Sequence, residues 1–362
     1  MSTTNPNPGV TTSSSNSSPS SKIIIALGGM LNLTPEVITK ALNLCHAEDG
    51  YERFEYPKGN GKVRVIHAPI ETLKITQRAI LDRLLSQSAV TPFAHGFVPH
   101  RSIITNALVH APSARSILSL DLKDAFPSVL AERIKKIFQW RIGVLIKLNA
   151  PQLNKLERQE LCSILAQLCT RDGCLPQGAP TSGYLLNLAC ARLDRLIYSC
   201  ALKSRLPQIK YTRYADDITL TSSAPIPPEF VAEVKGVITR SGFSVNPLKV
   251  HTYSDTQKAL VICGIRIFNQ GLALPKVTVK KYRAHLNEIA QKELNEVTKE
   301  EKARVLGILS FLRSIYATPP KSLQKPLTSL LAKHSSWLSA PKIKKSTRFT
   351  HYSYQEDYTT LS

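Results

Sequence analysis

Acidic residues are scarce in this chain. It has 26 Asp and Glu against 47 Lys and Arg, a formal charge of +21 over 362 residues. A field of that sign repels cationic partners and draws polyanions, with nucleic acid and acidic membrane surfaces at the head of the list. Long apolar runs are missing too. Nothing approaches the roughly 18 to 20 residues of a membrane span, and the short IIIALGGML near the N-terminus has no convincing cleavage site after it. No membrane association and a cytoplasmic location are the expectations. The seven cysteines form no C-x-x-C pair and have no His at zinc-finger spacing, so reduced, mostly buried thiols are expected and a structural zinc site is not. Internal repeats at the 20- to 50-residue periods of solenoids are also lacking.

The first 21 residues, rich in Ser, Thr and Pro, carry almost no large apolar side chains and cannot offset the entropy lost on ordering. They read as a tail. After Thr34, a helix N-cap followed by Pro35, apolar residues recur at helical spacing through Cys45. Gly59, Asn60 and Gly61 then separate two β-like runs as a hairpin loop would. A helical pattern follows in ETLKITQRAILDRLLSQ, a strand in ARSILSLDL, a helix in LERQELCSILAQLC, and one longer helix in GYLLNLACARLDRLIYSCAL. The order is mixed α+β. Beyond Pro275 the chain turns helical and more basic, with 16 Lys and Arg against 7 Asp and Glu. The expected divisions are a tail (1–21), an N-terminal segment of helix and hairpin (22–115), a central part with the candidate site (116–274), and a basic helical segment (275–362).

Three acids stand out. Asp121 interrupts the apolar strand pattern of SLDLKDAF, and Asp216 and Asp217 sit between the strand-like runs KYTRY and ITLTSS. On a regular strand neighbouring side chains face opposite ways, whereas at a hairpin turn both can approach one point. Two carboxylates so placed repel each other unless cations neutralise them, and hard oxygen ligands suit Mg²⁺. Taken alone, the pair is weak evidence for a metal site and reads more readily as a solvated turn. The order of motifs is more specific: a strand with Asp121, the Gly/Pro loop LPQGAPTSG opening a helix, the hairpin YADD, then NPLK with Lys249.

In that order the motifs resemble the palm of a reverse transcriptase, over roughly residues 30–275. The resemblance implies a right-hand polymerase fold of fingers, palm and thumb, with an antiparallel palm sheet packed on helices. It also implies an RNA-directed DNA polymerase using two Mg²⁺ ions held by Asp121, Asp216, Asp217 and the backbone carbonyl of Leu122. By the same match Phe126 is the aromatic gate against a ribose 2′-hydroxyl, and Asp124 and Ala125 present backbone N–H groups to the dNTP triphosphate. Gln177 contacts the nucleotide near its sugar, and Lys249 lies near the pyrophosphate. Arg64, and after it Lys62, clamps the triphosphate from the hairpin, and Arg101 of AHGFVPHRS contacts template or neighbouring backbone.

NALVH, residues 106–110, reproduces the N-A-x-x-H signature of retron reverse transcriptases, while their V-T-G signature is present only as ICG, with Cys263 in place of the Thr before Gly264. The departure puts in doubt any RNA contact through that hydroxyl. The retron resemblance implies a cognate structured noncoding RNA, copied in part into single-stranded DNA from a 2′-hydroxyl primer, and an effector protein in antiphage defence. It places RNA contacts at Asn106, His110, Gly264, Lys280, Lys281 and Arg283. Tyr282, Tyr316, Trp337 and Tyr352 are candidates to stack on bases, with ordinary packing as the alternative. A group II intron-like or abortive-infection enzyme, and a noncatalytic RNA-binding or effector-restraining module, stay open as other readings.

Overall fold

A computed structural model describes residues 19–57, 63–269 and 271–338. The leader up to residue 18, the Gly59–Asn60–Gly61 loop with Lys62, the basic run at 340–349 and Tyr352 lie outside the described residues. The chain divides into two compact units, Met1–Gly271 and Leu272–Ser362, against a boundary at 274/275 drawn from composition.

The first unit opens with α1 (Ser21–Leu31) and α2 (Pro35–His46). Thr34 caps α2 by accepting from the Val37 N–H, and Pro35 sits at the first helical position, where its missing N–H costs no hydrogen bond. The antiparallel hairpin β1 (Tyr51–Pro57) and β2 (Val63–Pro69) comes next, in register from Tyr51↔Pro69 to Pro57↔Val63. Then follow α3 (Glu71–Arg83), α4 (Ile103–His110), β3 (Ser116–Lys123), α5 (Ala131–Arg141), α6 (Gly143–Asn149) and α7 (Lys155–Leu168). The remainder is α8 (Ser182–Ala189), α9 (Ala191–Lys203), β4 (Lys210–Tyr214), β5 (Asp217–Ser222), α10 (Pro228–Arg240), β6 (Ser244–Val245), β7 (His251–Ser254), β8 (Val261–Ile262) and β9 (Ile265–Phe268). Among the described residues no single helix is long and apolar enough to cross a bilayer, and all seven cysteines are free.

The sheet that carries the site runs β4-β5-β3-β6, with β7 also paired to β3, every pairing antiparallel. β3 is the central strand. Its Ile117, Leu118, Leu120 and Leu122 are all buried although successive side chains face opposite sides, so both faces of the strand are covered. Each such side chain contributes about 1.5–3 kcal/mol on burial. A strand anchored that firmly fixes the position of the one carboxylate it carries, Asp121.

The stretch expected as one helix from Gly183 to Leu202 is two, α8 and α9, parted at Cys190. The buried end of Arg133 explains the interruption: its Nη2 donates to the Ala189 carbonyl at 2.7 Å, competing for an oxygen that an unbroken helix would use. All eight residues of α8 are buried, which is why the local pattern shows no polar face.

The second unit holds α11 (Lys276–Gln291), α12 (Lys299–Ile315) and α13 (Lys321–Leu338). Leu286 and Ile289, Val305 and Leu312, and Leu323 and Leu330 supply its core, and Thr298 and Glu301 close a reciprocal capping box at the start of α12. Lys280, Lys281 and Arg283 are exposed on α11. Tyr316 accepts the Leu274 N–H on its hydroxyl at 2.6 Å, and the Trp337 ring lies 5.6 Å from that of the buried His334.

Candidate active site

β3 and β5 pair so that Asp121 lies directly opposite Asp217. β4 and β5 close through a two-residue turn, Ala215–Asp216, with Tyr214 opposite Asp217. Two-residue hairpins need a left-handed residue and normally give the place to Gly; here Ala215 takes it, at φ +56°. The turn is tied back to the centre of the sheet, because Leu122 N–H donates to the Asp216 carbonyl at 3.0 Å. Strand register and turn together bring three acids from distant parts of the chain to one end of the sheet.

The electrostatics show the strain of that meeting. Asp217 is pushed up to about 6, first by burial and then by Asp216 and Asp121, while burial and the Asp121 charge raise Asp216. Lys249 answers them most directly, its Nζ 2.6 Å from Asp121 Oδ2, and the Arg64 charge also lowers Asp216. Asn246, which accepts the Leu248 N–H on its side chain and so shapes the NPLK turn, also donates its backbone N–H to the Asp121 carbonyl at 2.8 Å. Among the described residues no three His, Cys, Asp or Glu side chains close into a preformed metal cage. The aspartates form an open set instead. That suits Mg²⁺, which typically takes one or two protein carboxylates and draws its other oxygens from water and phosphate; one buried and two half-buried acids are not balanced by Lys249 and the more distant Arg64, since Asp216 and Asp217 both stay raised, so the residues fit such an ion.

A cavity of about 690 Å³ adjoins the acids, and Arg64, Phe97, Phe126, Gln177, Asp216 and Asp217 line it together. The β1–β2 hairpin is docked on one wall, with His67 N–H donating to the Gln177 carbonyl at 2.7 Å. Gly178 stands at φ +121°, where a Cβ would come within 2.7 Å of the His67 carbonyl oxygen, so this close approach requires glycine. Asp124 has φ +47° and opens the turn whose Ser128 N–H returns to the Asp124 carbonyl at 2.9 Å; Ala125 within it is buried. The Leu122 side chain is buried and its residue pairs with Val245 of β6.

Two of the residues expected to contact RNA face the interior. Asn106 and His110 have no exposed surface. His110 bridges the sheet, Nδ1 to Thr221 Oγ1 at 2.8 Å and Nε2 to Thr212 Oγ1 at 2.7 Å, and burial lowers it to about 3, so it is neutral. Asn106 donates to Cys263 Sγ at 3.4 Å. Helix α4 thus turns both polar groups inward, His110 against the strands and Asn106 against the β8–β9 turn. Cys263 and Gly264 form the two-residue turn between β8 and β9, both at positive φ, and burial pushes the thiol up to about 12. Arg101 also does structural work, its Nη1 donating to the carbonyls of Thr91, Pro92 and Ala94 at 2.9, 3.1 and 2.6 Å.

Sequence reasoning passed over the buried support of the turn. Arg213, Asp194 and Asn187 are wholly buried. Arg213 grips Asp194 with Nε and Nη2 at 2.7 and 2.9 Å, and donates from Nη1 to Asn187 Oδ1 and to the Ala215 carbonyl at 3.0 and 2.8 Å. Tyr211, two residues before Arg213 and on the same strand face, donates its hydroxyl to Asp194 at 2.8 Å. The seven-residue spacing of Asn187 and Asp194, two helical turns, was the available signal.

Residues 56–310 match the family model described as reverse transcriptase (RNA-dependent DNA polymerase). The chain belongs to the reverse transcriptase family, and its right-hand polymerase architecture follows from that membership. Among curated relatives, it is 36% identical over 279 residues to the retron Mx65 reverse transcriptase of Myxococcus xanthus, covering 73% of this chain and 61% of that one. It is 29% identical over 277 residues to the retron Ec86 reverse transcriptase of Escherichia coli, covering 75% of this chain and 78% of that one. The chain therefore spans about three fifths of the first relative and about four fifths of the second. A solved telomerase from Candida albicans, in complex with a fragment of telomeric RNA, overlays at a TM-score of 0.42 and 12% identity, over 81% of this chain and 61% of that one, too low a score to bear on function.

Proposed function

We propose that the protein is a retron-type RNA-directed DNA polymerase that copies part of a cognate structured noncoding RNA into single-stranded DNA, primed from an RNA 2′-hydroxyl, in antiphage defence with an effector protein. The observation that carries the reading is the placement of Asp121 opposite Asp217, with Asp216 in the adjoining turn and a nucleotide-sized cavity beside them. Asp121, Asp216, Asp217 and the Leu122 carbonyl would hold two Mg²⁺ ions, which when bound supply charge neutralisation at the transferring phosphoryl group. Arg64 binds the triphosphate of the incoming dNTP, Gln177 orients its sugar, and Phe126 fills the space a 2′-hydroxyl would take. Backbone N–H groups at Asp124 and Ala125 donate to phosphate oxygens. Lys249, whose affinity for its proton is raised by the Asp121 hydrogen bond, is held close enough to the acids to give a proton to departing pyrophosphate.

On the RNA side, Gly264 and the exposed Lys280, Lys281 and Arg283 supply the contacts, with A-form stems gripped by shape, phosphate and 2′-hydroxyl groups. The Cys263 side chain, engaged with Asn106, offers no hydroxyl to RNA. The test is incorporation of dNTPs on a primed RNA template with Mg²⁺. Asp216→Asn with Asp217→Asn should keep the fold and RNA binding and abolish synthesis; undiminished synthesis would refute the metal assignment. Sequencing the nucleic acid that copurifies with the chain tests the retron part: one short structured RNA joined covalently to DNA supports it, and a heterogeneous pool or a long intron RNA defeats it.

A further inference from the structure

We propose that Phe97 is a positioning residue for sugar selectivity, holding the Phe126 ring against the nucleotide pocket; the inference rests on the polymerase reading above. Phe97 is an unusual residue by three measures. Its backbone is left-handed, at φ +58°, which is an outlier for a bulky side chain and costs on the order of 1–3 kcal/mol. It is 54% exposed, so core burial does not repay that strain. And its ring lies in the wall of the cavity that holds Asp216, Asp217 and Gln177.

The surroundings fix the ring. On one side it rests on Gly183 of α8, where a Cβ would fall 2.3 Å from the Phe97 Cγ, so glycine is needed to make the seat. On the other it meets Phe126 edge to face, with ring centroids 6.1 Å apart and planes at 78°. The loop beneath is locked as well. Asn187 Nδ2 donates to the Gly96 carbonyl at 2.8 Å, and a Cβ at Gly96 would come within 2.7 Å of the Ala215 nitrogen. The segment that presents Phe97 is thereby pressed against the turn that presents Asp216.

Discrimination against one hydroxyl demands a wall that does not yield, because a ring able to swing aside by about an ångström admits the larger sugar. Phe126 supplies the wall. Phe97, seated on Gly183, keeps it from yielding. A strained, half-exposed aromatic that touches a glycine seat and the gate ring itself is accounted for by that role.

The experiment measures single-nucleotide incorporation of dGTP and of GTP by the purified full chain on a primed RNA template. Phe97→Ala should lower the ratio of kcat/KM for dGTP over GTP roughly 2- to 10-fold, the factor that one aromatic pair amounts to. The change should appear as improved use of GTP and a raised KM for dGTP. Phe97→Tyr, which keeps the ring, should restore the ratio. Gly183→Ala should lower it in the presence of Phe97 and add nothing in the Phe97→Ala background, since the methyl group then has no ring to displace. An active parent chain with an unchanged ratio in Phe97→Ala, or full additivity of the two substitutions, overturns the role of Phe97 alone. No incorporation by the parent chain overturns the polymerase reading, and this inference with it.

Discussion

The Arg213 guanidinium donates to the carbonyl of Ala215 at 2.8 Å while Asp194 holds its other edge through two bonds. A fully buried charge therefore braces the one left-handed residue of the turn that presents Asp216 and Asp217. The arrangement links a structural ion pair to the geometry of the chemistry, since the carbonyl it fixes belongs to the residue just before the first turn acid.

Breaking that pair from either side leaves an unpaired charge in the interior, which costs about 3–5 kcal/mol. Asp194→Ala is expected to lose that much in urea unfolding. Arg213→Lys keeps a charge beside Asp194 but has no fork to reach Asn187 and Ala215 as well, so its unfolding midpoint should fall less while dNTP incorporation falls in clear excess of the stability loss. Equal retention of activity in both variants would show that the turn holds without the clamp.

The candidate site was legible in the sequence because its parts are local words in a fixed order: an acid in an apolar strand, a Gly/Pro loop, two acids at a turn. The support behind it was not. Arg213 alternates with Tyr211 in a short strand, a pattern that ordinarily reads as a solvated edge, and only the tertiary contact with Asp194 of α9 turns it inward. His110 misleads for the reverse reason. A polar residue in a motif reads as a ligand contact, yet two threonines from neighbouring strands satisfy both of its nitrogens. The break at Cys190 depends on an arginine 57 positions earlier in the chain, beyond the reach of any local pattern.

Buried neutral histidines make the fold sensitive to acid. Burial holds His110 down at about 3 and His95 at about 4, the second with help from Arg101, against an ordinary value of 6.5. The unfolded chain binds these protons first, so stability is unaffected above about pH 6.5 and falls as pH drops below it. Each histidine adds a slope of about 1.4 kcal/mol per pH unit, both acting down to about pH 4 and His110 alone from there to about pH 3. Urea unfolding of His110→Gln between pH 7 and 4.5 should show a slope shallower by about that amount than the parent; identical slopes would mean that His110 charges freely in the fold.

Three clustered acids with one ammonium should make the metal-free protein less stable than its neutral relative. In chelator, Asp217→Asn removes a like charge beside Asp216 and Asp121, and it is expected to melt about 1 kcal/mol higher, roughly 2–4 °C. Added Mg²⁺ should raise the melting temperature of the parent and leave that of the variant nearly still. A parent that melts higher than the variant without any divalent ion would mean that the acids are already compensated by the protein.

The exposed cations of α11 should act on RNA through charge rather than through bases. Replacing Lys280, Lys281 and Arg283 together by Gln removes three positive groups while keeping long side chains, and the buried Leu286 and Ile289 leave the helix its packing. If each of them neutralises one phosphate, log K against log salt should flatten by about 0.7–0.9 for every phosphate left without its cation, and affinity should fall uniformly across stem sequences. Filter binding or fluorescence titration at several salt concentrations reads both quantities. An unchanged slope would place these residues away from the RNA, and a loss confined to particular stem sequences would mean that they read bases instead of backbone.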